Sequence, residues 1–413
     1  MNISITNNHY IMKLEGKNVA FLWACNSPYP GRIIPLFEKL SAQLKAGGVK
    51  SVSWIFPTQS AHRDWIDDIK KVDRVFFTNG DYSKAAGQLI QIFSEVAPDI
   101  IHTNFEAYDV PAVKALRCIG SKCKVVFHGH DWVRLKRTGP LALLKQIRFR
   151  LLMWRHYHWY GKNAYVVGVS PEVASVIGQC RSVCSLSIKQ YDNETYKNLH
   201  YPGVMYRING LVMDMFDNIT PVPLGEKNLT LPTFTAFVTQ PEGKGADVIL
   251  CAADLLWKKG VKFKLILTYI RREWFDAFLK DRLGLTSMPE WLELKNAENN
   301  IAPLLERTSC FISAARGETM SLAIAEATYF LTPVIQSDIP GTYWNSKNPS
   351  AFLFKDGDYE DLANKMESFI QADKKELEEK CEVSKHNNEE LLSPRSWCED
   401  MVQLYERILG KSE

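Results

Sequence analysis

The sequence contains no apolar run near the length of about 18 residues that a membrane-spanning helix needs. Its first residues also lack the basic region and long apolar core of a secretory signal, so a cytoplasmic protein is expected. The nine cysteines lie scattered in apolar segments, which favours thiols in a reducing compartment over a disulfide framework. Cys118 with Cys123 and Cys180 with Cys184 are spaced like ligand pairs. No matching Cys/His pair follows at zinc-like spacing, so structural thiols are expected instead.

A second absence is local, because no acidic residue occurs between Trp132 and Pro171. The basic residues of this segment are Arg134, Lys136, Arg137, Lys145, Arg148, Arg150, Arg155 and Lys162. At 100° per residue, Lys145, Arg148 and Arg155 share one helix face, with leucines and tryptophans interleaved. Such a basic helix at 134–162 predicts contact with an anionic membrane surface or a lipid-pyrophosphate acceptor. The alternative is a partly buried domain helix with a solvated basic side. Nucleic acid is not expected, since no recognised binding motif accompanies the patch.

The 413 residues, 46% hydrophobic and 23% charged, indicate a globular protein of about two domains. Apolar runs suited to buried strands alternate with helical segments, and this pattern restarts near residue 233 after a proline-containing linker. The alternation predicts an α/β fold of two tandem Rossmann-like, doubly wound domains that face a central cleft. The expected domains are 1–217 and 218–395, with a last helix at 396–412 that packs back on the first domain. Strands are expected at 310–313 and 351–354, and the acidic stretch 374–390 is expected to be an exposed helix with its connection.

Two glutamates, Glu318 and Glu326, follow a short buried strand in the last third of the chain. Gly317 supplies a turn between that strand and a helix expected to begin near Met320. With Glu318 at the helix entrance, eight helical steps separate the two glutamates by about 12 Å. Free amides of the first turn, near Thr319 and Met320, are expected to face a phosphate. Two solvated helical glutamates are the alternative.

In this context, several ordered motifs resemble retaining nucleotide-sugar glycosyltransferases of family 4, which have the two-domain GT-B fold. The resemblance spans most of the chain and is carried by residues 98–103, 125–131, 167–170, 207–216, 243–247, 316–326 and 333–341. Residues 125–131 read Val-Val-Phe-His-Gly-His-Asp, and residues 243–247 read Gly-Lys-Gly-Ala-Asp. Each motif alone is weak, and the order of the set is what makes it specific.

The resemblance implies roles for individual residues. Lys244 would stabilise the charge that develops on a departing nucleotide diphosphate; the alternative is a surface lysine in a glycine turn. Glu326 would bind ribose hydroxyls, and Glu318 would hold the hydroxyls of the donor sugar. His130 would face the reacting sugar, with His128 as its rival and a structural histidine as the alternative.

The expected catalytic residues are His130, Glu318 and Lys244. The expected donor-binding residues are Gly31, Lys244, Arg316, Gly317, Glu318, Thr319, Met320, Ser321, Leu322 and Glu326. Gly31 resembles the glycine of the family's first loop, where close backbone approach leaves no room for a side chain. The resemblance also implies a nucleotide-diphosphate sugar as co-substrate, no cofactor and no metal, a glycan or lipid-linked acceptor in surface polysaccharide synthesis, and retention of configuration.

The sequence departs from the family at residues 237–242, where an arginine normally accompanies the lysine and none is present. Either another cation (Arg316, Arg271 or Arg272) replaces it at the diphosphate, or the donor is bound more weakly. The missing arginine also motivates a different function, a catalytically silent scaffold that binds glycans or other transferases. A third hypothesis is a metal-dependent hydrolase that uses His128, His130 and Asp131.

Overall fold

A computed structural model describes residues 14–130, 139–182, 201, 203–216, 218–227, 229–269 and 271–410. The contacts between these residues divide the chain into two compact units. Unit 1 contains the described residues up to Gly210 together with those from Pro394 onward, and unit 2 contains the residues from Leu211 to Ser393. Asp131, Arg134, Lys136, Arg137 and Cys184, all named in the sequence predictions, lie outside the described residues.

Unit 1 is built on a seven-stranded sheet. Its strands are β1 Asn18–Trp23, β2 Ser51–Pro57, β3 Arg74–Thr78, β4 Ile100–Asn104, β5 Lys124–Gly129, β6 Ala164–Gly168 and β7 Val204–Tyr206. All neighbours are parallel, in the order β3-β2-β1-β4-β5-β6-β7. Strands such as β1 are continuous apolar runs because helices cover both faces of a parallel sheet.

The helices of unit 1 connect these parallel strands. They are α1 Ile33–Ala46, α2 Asp64–Val72, α3 Ala85–Val96, α4 Asp109–Cys118, α5 Ala142–Trp154 and α6 Pro171–Ser182. A π-helical segment, Arg155–Tyr160, continues α5. Such helical connections are required because each must return the chain to the starting edge of the sheet, and parallel neighbours cannot be joined by a tight hairpin.

Unit 2 repeats the same architecture with six parallel strands. They are β8 Thr233–Phe237, β9 Lys264–Tyr269, β10 Leu292–Asn296, β11 Cys310–Ser313, β12 Val334–Ser337 and β13 Ala351–Phe354. Their order is β10-β9-β8-β11-β12-β13. The helices are α7 Ala246–Lys258, α8 Arg272–Leu283, α9 Ala302–Arg307, α10 Leu322–Tyr329, α11 Tyr359–Gln371 and α12 Lys374–Leu391. A 3₁₀ segment, Pro340–Asn345, follows β12.

The last helix, α13 Pro394–Gly410, belongs to unit 1. It buries Trp397 and Tyr405, and the Trp397 ring lies 5.1 Å from the ring of Phe37 on α1. The Tyr405 hydroxyl is hydrogen-bonded to Nδ1 of His102 on β4 at 2.5 Å. The core of unit 1 is thus completed by residues nearly two hundred positions away from the rest of the unit in sequence.

The predicted fold class is confirmed by the two parallel sheets and their flanking helices. The strands expected at 310–313 and 351–354 have these bounds in the structure. The expected start of the helix at Met320 is wrong, because α10 begins at Leu322. The acidic stretch 374–390, expected as an exposed helix with its connection, forms α12 but buries one face that includes Leu377, Cys381 and Asn388. No described helix is long and apolar enough to span a bilayer.

Candidate functional site

The strand order of unit 2 reverses between β8 and β11. The connection from β8 leads to β9 on one side, and β11 begins the run of strands on the other side. The loops that leave the carboxyl ends of these two adjacent strands therefore diverge and leave a crevice, the usual ligand position in open α/β sheets. These loops, residues 238–245 and 314–321, contain most of the donor-site residues predicted from the sequence.

Lys244 and Glu318 meet at this crevice. The Lys244 Nζ donates to Glu318 Oε1 at 2.5 Å. The Lys244 side chain is 34% exposed and the Glu318 side chain is 13% exposed, so this ion pair is partly shielded from water while Lys244 stays accessible. Hydrogen bonds between ionised partners are stronger than neutral ones, and they hold both groups in defined positions. The structure therefore brings together two of the three residues predicted to be catalytic.

Two glycines fix the backbone that carries Glu318. A Cβ at Gly245, which has φ +67°, would lie 2.0 Å from the carbonyl oxygen of Ala314. A Cβ at Gly341 would lie 1.9 Å from the carbonyl oxygen of Glu318. The 314–318 loop is thus held between the start of α7 and the 3₁₀ segment after β12, and a side chain at either glycine would displace it.

Polar contacts hold the same loop in place. The Ser337 hydroxyl donates to the carbonyl oxygen of Ala315 at 2.7 Å, and the Arg316 amide donates to the carbonyl oxygen of Gly243 at 3.0 Å. These bonds tie the loop after β11 to the neighbouring strand β12 and to the glycine turn beside Lys244. The position of Glu318 is consequently set by backbone contacts before any ligand is bound.

Arg316 forms a clamp between the two loops. Its guanidinium group pairs with both carboxylate oxygens of Asp247, at 2.8 and 2.5 Å, and donates to the carbonyl oxygen of Glu242 at 2.6 Å. The hydrogen bonds to Asp247 raise the pKa of Arg316. A bidentate pair of this kind fixes orientation as well as distance. The role of Asp247 was not predicted, although it lies in the Gly-Lys-Gly-Ala-Asp motif.

The other two arginines expected to replace the missing cation also have carboxylate partners. Arg271 lies 3.6 Å from a carboxylate oxygen of Glu242, and Arg272 pairs with Asp276 at 2.9 Å. All three candidates are thus engaged in ion pairs in this structure.

Glu326 lies within α10 and is 8% exposed. Ser321 is the residue before the helix, and its carbonyl oxygen accepts from the amide of Ile324 at 3.2 Å. The predicted phosphate-facing amides at Thr319 and Met320 are therefore not those of the first helical turn, which starts at Leu322. Because Glu318 precedes the helix by four residues, the distance of about 12 Å along a helix does not apply.

Gly317, Thr319 and Leu322 are half-buried, and Met320 and Ser321 are buried. In unit 1, Gly31 lies in the loop after β1 with φ +63°, in the left-handed region that favours glycine. The space around a Cβ at Gly31 is open, so backbone conformation rather than crowding within the chain accounts for glycine at this position.

His130, the third predicted catalytic residue, is buried in a histidine cluster of unit 1. Its Nε2 donates to Oδ1 of Asn104 at 3.0 Å, and its Nδ1 accepts from Nδ2 of Asn209 at 3.4 Å. Its ring stacks on His128 with centroids 4.1 Å apart. Burial lowers the pKa of His130 to about 3, so its imidazole is neutral near neutral pH.

A second chain of hydrogen bonds runs from α13 through this cluster. His102, joined to Tyr405, also lies 3.1 Å from Nδ1 of His128 through its Nε2. Burial lowers the pKa of His102 to about 3 and that of His128 well below its ordinary value. The Nε2 of His128 is buried and has no hydrogen-bond partner among the described residues. It lines a small cavity at the carboxyl end of β5, with Glu106, Asp109 and Tyr157.

Sequence reasoning missed one ion pair beside this cavity. His156 Nε2 lies 2.9 Å from Asp109, and Thr103 donates to the other oxygen of the same carboxylate at 2.5 Å. Burial acts to lower the pKa of His156, but Asp109 outweighs it and the pKa is raised. No periodicity links these residues in the sequence. Among the described residues, no group of three His, Cys, Asp or Glu side chains is arranged to hold a metal ion, and Asp131 lies outside them.

Comparison with known proteins gives three kinds of result. Residues 232–372 match the model of the family described as glycosyl transferases group 1. No curated protein matches the sequence. The fold is shared with solved glycosyltransferases of the GT-B type, at identities that establish the fold alone.

A glycosyltransferase from Rickettsia africae ESF-5 is 18% identical, with 96% of this chain and 99% of that chain covered and a TM-score of 0.69. Anabaena Alr3699/HepE, solved in complex with UDP and glucose, is 14% identical, with 94% and 99% covered and a TM-score of 0.69. WaaG, a glycosyltransferase involved in lipopolysaccharide biosynthesis, is 14% identical, with 95% and 100% covered and a TM-score of 0.60.

Proposed function

We propose that the protein is a retaining glycosyltransferase that moves a sugar from a nucleotide-diphosphate donor to a glycan or lipid-linked acceptor in surface polysaccharide synthesis. The observation that carries the proposal is the meeting of Lys244 and Glu318 at the strand-order reversal of unit 2. Both residues fall inside the segment that matches the glycosyl transferases group 1 family. Retention rests on the resemblance of the ordered motifs to family 4.

The chemistry of the pair suits departure of a nucleotide diphosphate. Negative charge grows on the leaving diphosphate as the glycosidic bond breaks, and a fixed cation stabilises that charge more in the transition state than in the bound donor. Lys244 is an accessible cation of the crevice, and its three ammonium protons can serve both Glu318 and a phosphate oxygen. The ionised Glu318 only accepts hydrogen bonds, which fits sugar hydroxyl groups.

The rigidity of the 314–318 loop supports the same function. Catalysis by charge stabilisation works best when the charged groups are already in position, because no reorganisation is then needed during the reaction. In this proposal, Arg316 and Asp247 position the loop, and Lys244 contacts the diphosphate. Lys244 corresponds to the lysine that the missing arginine normally accompanies, and Arg316 contributes through the loop that it clamps. Glu326 on α10 is proposed to bind the ribose hydroxyls.

The neutral state of His130 does not suit a proton-transfer group. Both of its ring nitrogens are bonded within unit 1, so a hydrogen bond to the sugar would replace the longer of these, the 3.4 Å bond from Asn209. A general acid or base works best with a pKa near the working pH, and burial moves the pKa of His130 to about 3. The proposal requires no metal ion, because charge stabilisation by Lys244 takes its place. It also places the enzyme in the cytoplasm, in line with the absence of disulfides among the described cysteines.

A catalytically silent scaffold is the second candidate. It is favoured by one specific observation: Arg316, Arg271 and Arg272 all have carboxylate partners. A site whose arginines are held by carboxylates would bind the donor weakly and leave the diphosphate charge largely uncompensated.

The test combines donor binding with transfer. Binding and turnover are measured with a panel of radiolabelled nucleotide sugars, UDP-glucose first because HepE was solved with UDP and glucose. Lys244→Ala and Glu326→Gln should abolish turnover or donor binding. Lys258→Ala, which removes an exposed lysine at the far end of α7, should leave both unchanged.

Each outcome separates the candidates. Transfer that survives chelation supports the proposal and excludes the metal-dependent hydrolase. Donor binding by the wild-type protein without turnover favours the scaffold. Normal turnover by Lys244→Ala would refute the assignment of the site.

A further inference from the structure

Helix α5 exposes leucines that a helix of an ordinary domain surface would bury. Six large apolar side chains of α5 and its flanks are between 45% and 73% exposed: Leu141, Leu143, Leu144, Leu151, Leu152 and Trp159. Single exposed apolar residues are common on protein surfaces, but a contiguous group on one element marks an interaction surface.

Three of these residues, Leu144, Leu151 and Leu152, share one face of α5 with cations. Lys145, Arg148 and Arg155 are exposed, and both arginines line a shallow groove together with Leu144, Ile147, Leu151 and Leu152. The opposite face buries Arg150 and Met153. The sequence left two interpretations open, a helix that contacts an anionic membrane and a partly buried domain helix with a solvated basic side. In the structure, leucines and basic residues share the outward face.

An occupant of this face must supply negative charge and an apolar phase at once. No acidic residue occurs in the sequence between Trp132 and Pro171, so nothing within the segment neutralises its cations. A nucleic acid offers phosphates without an apolar phase. An anionic bilayer offers both at the depth of one helix, because leucines enter the acyl boundary while long basic side chains extend to the headgroups.

We infer that the outward face of α5, from Leu141 to Arg155, is a docking surface for an anionic phospholipid bilayer. The helix lies in the interface and does not cross it, since no described helix can span a bilayer. This inference deepens the proposed function, on which it rests for its purpose: a lipid-linked acceptor would be met at the membrane surface.

Vesicle flotation of the full-length protein tests the inference. The vesicles contain either phosphatidylcholine alone or equal parts of phosphatidylcholine and phosphatidylglycerol, and no acceptor lipid is needed. The wild-type protein should float only with the anionic vesicles, and high salt should release it because salt screens the headgroup charge.

Two variants separate the charged and apolar contributions. Arg148→Gln with Arg155→Gln should weaken binding roughly 30-fold, about fivefold for each basic side chain. Leu144→Ser with Leu151→Ser should weaken binding at least about tenfold, because both leucines line the groove beside the arginines and less apolar surface then enters the interface.

Matched controls lie on other helices. Lys70→Gln with Lys71→Gln removes two exposed cations from α2, and Val383→Ser with Leu391→Ser removes two exposed apolar side chains from α12. Both control pairs should bind vesicles like the wild-type protein.

Several results would overturn the inference. These are equal binding to both kinds of vesicle, no binding to either, or wild-type binding by the α5 variants. Loss of a dimer in sedimentation on substitution of the leucines would identify the face as a contact between copies. Donor binding is measured on the same variants. Unchanged donor binding with lost flotation would show that the α5 substitutions affect membrane binding only. Lost donor binding by Lys244→Ala with normal flotation would show that this substitution affects the donor site only.

Discussion

The buried histidines of unit 1 predict a specific sensitivity to acid. His130 has a folded pKa of about 3 against an ordinary value of 6.5, because burial opposes its charged form. The unfolded chain therefore binds one more proton than the folded chain between these two values, and the stability of the fold falls as the pH falls through this window. The slope is about 1.4 kcal/mol per pH unit, which gives about 2 kcal/mol between pH 7 and pH 5.

The perturbation is His130→Gln, which removes the titrating group and keeps a polar side chain. Whatever its effect at pH 7, the variant should lose about 2 kcal/mol less stability than the wild-type protein on going to pH 5. His156, whose pKa is raised, acts in the opposite direction: its contribution is present below its unfolded pKa and is lost as the pH rises through its folded pKa. It is present in both proteins and cancels in the difference.

Urea unfolding at pH 7 and pH 5 measures this difference in stability. Where the two units unfold in separate transitions, the transition that shifts in the variant is assigned to unit 1. His386→Gln is the control for the substitution itself, since it removes an imidazole that is 71% exposed on α12. Parallel pH dependence of the His130→Gln and wild-type proteins would show that His130 is not held neutral by burial. The proposed hydrogen-bonding role would then lose its physical basis.

Three further predictions concern unit 2. Gly341→Ala should lower stability by about 1–3 kcal/mol through overpacking and weaken donor binding, because the new methyl group meets the backbone of Glu318; calorimetry showing wild-type donor affinity would contradict this. Asp247→Asn should lower kcat more than donor affinity, since it loosens the Arg316 clamp; an unchanged kcat would show that the clamp is dispensable. Lys227→Met should cost about 1–3 kcal/mol in thermal unfolding, because the buried ammonium donates to two carbonyls and a hydroxyl that would lose their partner.

Much of the fold follows from local patterns in the sequence. The strands of both sheets are short apolar runs bounded by turns. Such runs predict strands without tertiary information, because both faces of a parallel sheet are buried. The prediction of burial was weaker for helices that bury only one face. The acidic stretch that forms α12 appeared exposed from its charge, yet Asn348 and Asn345 bond to Asn388 on its inner face.

The candidate site, too, could be predicted only in part from local sequence patterns. Lys244 and Glu318 stand in recognisable motifs, but their contact spans 74 residues and depends on the adjacency of β8 and β11. The backbone of Glu318 packs against Gly341 from another segment, a contact that no local pattern predicts. The bond between His102 and Tyr405 spans 303 residues and has no local signal at either end.

The return of α13 to unit 1 has a consequence for synthesis of the chain. Domains usually fold in order from the amino terminus as they are made, at about 5–20 residues per second. Here unit 2 is complete before unit 1, which must wait through about 180 residues, or roughly 10–40 s, for the helix that covers Phe37 and His102. During that interval, the side chains that Trp397 and Tyr405 later cover are open to water, so the nascent first unit is prone to aggregation until α13 emerges.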